Sequence, residues 1–189
     1  LHFGMTGKLE YYGDRDLPDY TKVLIHFSND YHLAYICMRK LGKIYLTDSI
    51  ESFSKEHELG RDAMDYDWEV FDEYLSNKRG SIKGALTDQS SISGTGNVYA
   101  DEIVFQCGLH PKSKVKALTE EKRREIFEQM REVLQAVINC DGVRSELPPD
   151  YLKHRREDGA DCPRKGCDGT IEQIKVSGRS TYFCHECQK

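Results

Sequence analysis

From Thr21 to Asp48 apolar and polar residues alternate in short runs, Lys22-Val-Leu-Ile-His-Phe27, Tyr31-His-Leu-Ala-Tyr-Ile36 and Lys43-Ile-Tyr-Leu-Thr47. A period of two marks strands with one buried face, and Ser28-Asn-Asp30 has the composition of a hairpin turn. The region predicts antiparallel sheet. So few strands bury only one face, so the sheet is expected to expose apolar surface or to find its partner in another chain.

The period becomes helical from Asp65. Trp68, Phe71, Tyr74 and Leu75 share one face, and Asn77 to Gly80 supplies a stop. A second helix is predicted over Ser81 to Gln89, and a third over Asn97 to Cys107, ended by Gly108 and Pro111. Thr119-Glu-Glu-Lys opens a long amphipathic helix through Ile138, with Ile126, Met130, Val133, Leu134 and Val137 on its buried stripe. Four helices in succession make a helical domain, and the proline-marked segment Glu146 to Asp150 leads out of it.

That segment leads into Cys162-Pro-Arg-Lys-Gly-Cys167 and, after a strand-rich span, Cys184-His-Glu-Cys187. Two thiol pairs separated by a hairpin's length suit a tetrahedral structural Zn²⁺, each pair on a tight turn. Two disulfides would need an oxidising compartment and would leave Cys37, Cys107 and Cys140, an odd count. His185 lies inside the last pair, but four thiolates already fill the shell, so it is read as a polar turn residue.

A charged fraction of 31%, a mean hydropathy of −0.66 and no long apolar run exclude a transmembrane helix and point to a soluble intracellular chain, in cytoplasm, nucleoid or nucleus. The net charge of −5 argues weakly against a nucleic-acid partner, but its distribution matters more than its sum. Acidic residues crowd the middle of the chain, whereas Lys153, Arg155, Arg156, Arg164, Lys165 and Arg179 gather around the cysteines.

Gly94-Thr-Gly-Asn97 stands at the mouth of the third helix, where backbone N–H groups and the helix dipole favour an anion. Taken alone, Asn97 is equally a helix N-cap. The surrounding runs Ile82-Lys-Gly-Ala-Leu-Thr-Asp-Gln89 and Ile92-Ser-Gly-Thr-Gly-Asn-Val-Tyr-Ala-Asp-Glu-Ile-Val-Phe-Gln-Cys-Gly-Leu-His-Pro111 resemble the helix-two-turns-helix element of the formamidopyrimidine-DNA glycosylase and endonuclease VIII family. Gly178-Arg-Ser-Thr-Tyr-Phe-Cys-His-Glu-Cys-Gln188 resembles that family's zinc finger, and Leu1-His-Phe-Gly-Met-Thr-Gly7 its His-Leu-Gly-Met-Ser-Gly strand. The likeness spans the chain, in order.

The resemblance implies an α+β fold: a partial antiparallel β sandwich (1–60), a helix-two-turns-helix DNA-binding domain (61–152) and a C-terminal β-hairpin zinc finger (153–189) holding Zn²⁺ on Cys162, Cys167, Cys184 and Cys187. It assigns Lys83, Asn97 and Arg179 to phosphates flanking a damaged nucleotide, with a further backbone contact from His2; amide and guanidinium groups fix register in this way without reading sequence. Met5, Arg39 and Leu41 correspond to the residues that fill the void left by an extracted base, where an apolar wedge offsets unstacking. Here Cys37-Met38 replaces the family's Asp-Pro, Lys40 its second arginine and Leu41 its phenylalanine. Glu102 matches a glutamate of the helical motif and is also readable as a surface carboxylate.

The family's chemistry uses an N-terminal proline as nucleophile, an adjoining glutamate and a lysine on an early hairpin, and the resemblance implies an N-terminal segment, absent here, that carries them. The expected partner is double-stranded DNA with a damaged base or abasic site. The expected role is the DNA grip of a base-excision glycosylase and abasic-site lyase, without catalysis by these residues alone. A non-catalytic binder of damaged DNA and a zinc-stabilised protein-interaction module are the alternatives.

Overall fold

The computed structural model describes residues 1–4 and 6–189; Met5, assigned above to the void, lies outside the described residues. The chain divides into two compact units, Leu1–Phe53 and Ser54–Lys189. No helix among the described residues is long and apolar enough to cross a membrane.

In the first unit, strands β1 (Gly7–Tyr12), β2 (Thr21–His26) and β3 (His32–Cys37) form an antiparallel sheet in the order β1-β3-β2. The β2–β3 connection turns where expected. The Phe27 N–H bonds the Tyr31 carbonyl at 2.9 Å, and Asp30 takes a left-handed φ of +62°, as a three-residue hairpin loop requires. The third predicted strand does not form. Lys43 makes an isolated bridge to His2, and the exposed residues Ile44, Tyr45 and Leu46 join no strand of the sheet. Strand β1 begins where the Leu1–Gly7 motif ends and lies outside the alternating region of Thr21 to Asp48. Ala34, Tyr35, Ile36 and Cys37 of the central strand are buried, while Tyr11, Val23, Ile25 and Phe27 of the sheet and its turn are 41–54% exposed, so the sheet does carry open apolar surface.

Helix α1 (Ile50–Glu56) crosses the boundary between units in sequence. In the second unit, α2 (Trp68–Asn77), α3 (Ile82–Leu86), α4 (Asn97–Gln106) and α5 (Glu120–Asn139) enclose a core of Phe71, Leu75, Leu86, Ile103, Ile126 and Met130. Burying each such side chain contributes about 1.5–3 kcal/mol. Side-chain caps fix three helix starts: Asp67 to the Val70 N–H, Ser81 to Gly84 and Thr119 to Lys122. Helix α3 stops at Leu86 rather than Gln89, the Thr87 hydroxyl turning back to the Lys83 carbonyl at 3.0 Å. A short parallel pair, β4 (Arg61–Asp62) with β5 (Ile92–Ser93), ties the loop before α4 to the start of the unit. The segment read as a linker is docked: Leu147 and Tyr151 are buried in the helical core.

Strands β6 (Ile171–Val176) and β7 (Arg179–Cys184) form the terminal hairpin. Ser177 and Gly178 both have positive φ, +48° and +75°, and so close a two-residue turn of the primed kind that matches strand twist. A small core of Phe105, Leu152, Ile171 and Cys184 joins this hairpin to α4.

Candidate nucleic-acid interface

Helix α4 is apolar nearly all round, with Ala100 to Phe105 all buried, so the two carboxylates inside that run must be paired. Asp101 faces β7. Its Oδ1 lies 2.5 Å from Lys83 Nζ, its Oδ2 accepts Arg156 Nη2 at 2.8 Å and Nε at 3.2 Å, and the Tyr182 N–H points at the same oxygen from 3.3 Å. Burial pushes the Asp101 carboxyl up from its ordinary value, and the two cations pull against that. Burial likewise pushes Lys83 down, opposed by Asp101. Two cations thus face one carboxylate.

Lys83 is therefore not a solvated surface charge. It is 1% exposed, and its ammonium also reaches Thr181 Oγ1 at 2.5 Å and the Ser180 carbonyl at 3.3 Å. Asn97 is the first residue of α4 rather than its cap, a position held by Gly96 without a side-chain bond. The Asn97 amide instead donates to the same Ser180 carbonyl at 2.9 Å, and Arg156 Nη2 approaches that carbonyl at 3.4 Å. Arg179, exposed at the head of β7, is held by a weak bond from Nη1 to Thr87 Oγ1 at 3.5 Å, and no carboxylate pairs with it among the described residues. Lys83, Asn97 and Arg179, far apart in sequence, thus meet where α3, the α4 N-terminus and the finger hairpin converge. Three cations against one carboxylate leave a charge of +2 there.

Glu102, next along α4, is 1% exposed and accepts the Leu152 N–H at 3.0 Å, the Lys153 N–H at 2.9 Å and Gln106 Nε2 at 2.8 Å. It anchors the segment entering the finger and is not a surface carboxylate. Sequence reasoning passed over Asp101 and Arg156; the signal was a pair of acids inside an apolar helical run. It also passed over a second basic cleft of about 410 Å³ lined by Arg79, Gly80, Lys114 and Lys116.

The four Sγ atoms of Cys162, Cys167, Cys184 and Cys187 all lie within 4.8 Å of one another, with Cys162–Cys187 at 3.8 Å and Cys167–Cys184 at 3.7 Å. Thiolates about 2.3 Å from a tetrahedral Zn²⁺ stand about 3.8 Å apart, so the donor set fits that ion, whereas a disulfide needs about 2.05 Å. His185 points away from the shell, paired with Glu172 at 2.6 Å and Glu186 at 2.9 Å.

In the first unit, His2 pairs with Lys43 through two backbone bonds of 2.8 Å, and its carbonyl accepts the Tyr35 hydroxyl at 2.8 Å. This lays the N-terminal segment against the Cys37–Gly42 turn. Gly4, at φ +62°, leaves no room for a Cβ against Leu41 and Gly42, and the Arg39 N–H meets Thr6 Oγ1 at 3.4 Å. Leu41 is 49% exposed at the crown of that turn and Arg39 is exposed beside it. The Gly42 N–H, with those of Leu41 and Lys40, holds the Cys37 thiol below its ordinary value.

A helix N-terminus that opens beside an amide and an exposed guanidinium, braced by a four-thiolate hairpin, defines a zinc-finger protein with a basic cluster at the mouth of a helix. Residues 59–148 match the formamidopyrimidine-DNA glycosylase H2TH domain, and residues 161–189 the zinc finger found in FPG and IleRS. The formamidopyrimidine-DNA glycosylase of Pelotomaculum thermopropionicum is 32% identical over all of this chain and 73% of its own length, and that of Desulforamulus reducens is 32% identical over the same shares. Lactococcus lactis formamidopyrimidine-DNA glycosylase, solved non-covalently bound to DNA containing an abasic site, superposes with a TM-score of 0.81 at 28% identity, over 100% of this chain and 72% of that one. The chain belongs to the formamidopyrimidine-DNA glycosylase family, and its four cysteines form the family's structural zinc site.

Proposed function

We propose that these 189 residues grip double-stranded DNA at a damaged or abasic nucleotide, as part of base-excision repair. The observation that carries the reading is the convergence of Asn97, Lys83 and Arg156 on the Ser180 carbonyl, with Arg179 beside it. Asn97, the first α4 N–H groups and Arg179 take backbone phosphates, while Lys83 acts from beneath by fixing Ser180 and adding positive potential. In the first unit His2 contributes a backbone contact, and Met5, Arg39 and Leu41 serve as the wedge that replaces an extruded base. Solved relatives bound to abasic-site DNA and to Fapy-dG DNA support the choice of partner. The modules 1–60, 61–152 and 153–189 divide the work into wedge, phosphate clamp and brace, and a chromosomal substrate places the chain inside the cell.

Fluorescence anisotropy on a duplex with one stable abasic analogue tests this. Asn97→Ala is expected to weaken binding about tenfold, the worth of one charge-assisted hydrogen bond, with zinc content and folding unchanged. Unchanged affinity would remove the phosphate role from Asn97.

A further inference from the structure

We propose a second metal site, separate from the zinc finger, on His26 and His32: a two-imidazole chelate for a late first-row divalent cation of tetragonal or octahedral preference, such as Ni²⁺ or Cu²⁺. The two residues are direct cross-strand partners at the ends of β2 and β3. Phe27 and Tyr31, one step nearer the turn, share a backbone hydrogen bond, so by the alternation of an antiparallel ladder His26 and His32 form a non-hydrogen-bonded pair, whose side chains approach most closely.

The imidazoles use that approach in a specific way. Their Nδ1 atoms stand 2.9 Å apart, yet the ring centroids are only 4.6 Å apart and the ring planes are inclined at 80°. Two rings aimed straight at each other through one linear N–H···N bond would add about 1.15 Å at each end, placing the centroids about 5.2 Å apart. Two rings whose Nδ1 lone pairs converge at a right angle on an ion about 2.05 Å away have nitrogens about 2.9 Å and centroids about 4.5 Å apart. The observed centroid separation of 4.6 Å matches the second spacing, that of a bent rather than a linear contact between the nitrogens. A tetrahedral bite would need nitrogens about 3.3–3.4 Å apart, so the site disfavours the zinc that suits the finger. The pair is accessible on the strand surface, with His32 held from its other side by an edge-on contact to Tyr12 at 5.5 Å. Remaining coordination positions open to solvent or to an oxygen or nitrogen donor of a ligand.

Nickel(II) nitrilotriacetate is the probe, because its four donors leave two cis positions open and keep the ion from the finger thiolates. Titrated into the full zinc-loaded chain by calorimetry, it is expected to bind one equivalent, and His26→Ala or His32→Ala is expected to weaken it about tenfold or more, since a chelate loses its effective concentration with either arm. Zinc content stays constant throughout. Paramagnetic broadening of imidazole resonances in the unaltered chain gives a readout that requires no variant: loss confined to His26 and His32 supports the site. Equal binding by both variants, broadening centred on His110, His154 or His185, or no binding by the unaltered chain would overturn it.

Discussion

Asp101 stands at the centre of the basic cluster around Ser180. Fully buried, it ties Lys83 of α3 and Arg156 of the finger approach to β7, two of the groups that meet at the Ser180 carbonyl. Removing one partner of a buried ion pair strands the others without solvent, so Asp101→Asn is expected to cost about 3 kcal/mol of stability by denaturant unfolding. Adding Lys83→Met to that variant is expected to recover part of the loss, because the stranded ammonium goes with it; strict additivity of the two changes would show that they do not interact. None of this was legible in the sequence. Lysine defaults to the surface, and only contact with β7, 97 residues away, reveals Lys83 as a buried brace. Asn97 and Arg179 are assigned by the family resemblance, and each stands at a glycine-marked turn, one opening a helix, the other following the turn of a hairpin.

Among elements, helices with a strong period were legible to within a few residues. Helix α5 starts at its Thr119 cap and buries Ile126, Met130, Val133 and Leu134 as its spacing dictates. The sheet was less so, since alternation shows a strand's faces but not whether it pairs; Lys43 to Thr47 alternates yet forms no strand, bridging to His2 at Lys43 among the described residues. The junction between α2 and the loop after α3 is polar and pH-sensitive. A hydrogen bond from Lys78 holds the Asp88 carboxyl down to about 2, at 2.7 Å. A carboxyl depressed below its unfolded value of 3.8 adds stability that is complete above that pH and is lost as pH falls toward 2. Asp88→Asn is therefore expected to lower stability by under about 1 kcal/mol at pH 7, this being a partly exposed pair, and the deficit is expected to shrink progressively as the pH falls from about 4 through about 2. A deficit that did not change between pH 7 and pH 2 would show that packing, not the ion pair, is responsible.

For the whole molecule, a net charge of −5 coexists with a local formal charge of +2 around Ser180, and the proposed grip relies on that local positive charge rather than on general attraction. Composition alone pointed away from DNA; the fold, by assembling distant basic residues against one buried acid, reverses that. The most direct test is the salt dependence of affinity for an abasic-site duplex, measured side by side for the unaltered chain and Arg179→Ala. If Arg179 neutralises one phosphate, the slope of log affinity against log salt falls in magnitude by about 0.9 in the variant while zinc content is unchanged. An unaltered slope would contradict the account, placing Arg179, and the cluster it completes, outside the DNA contact.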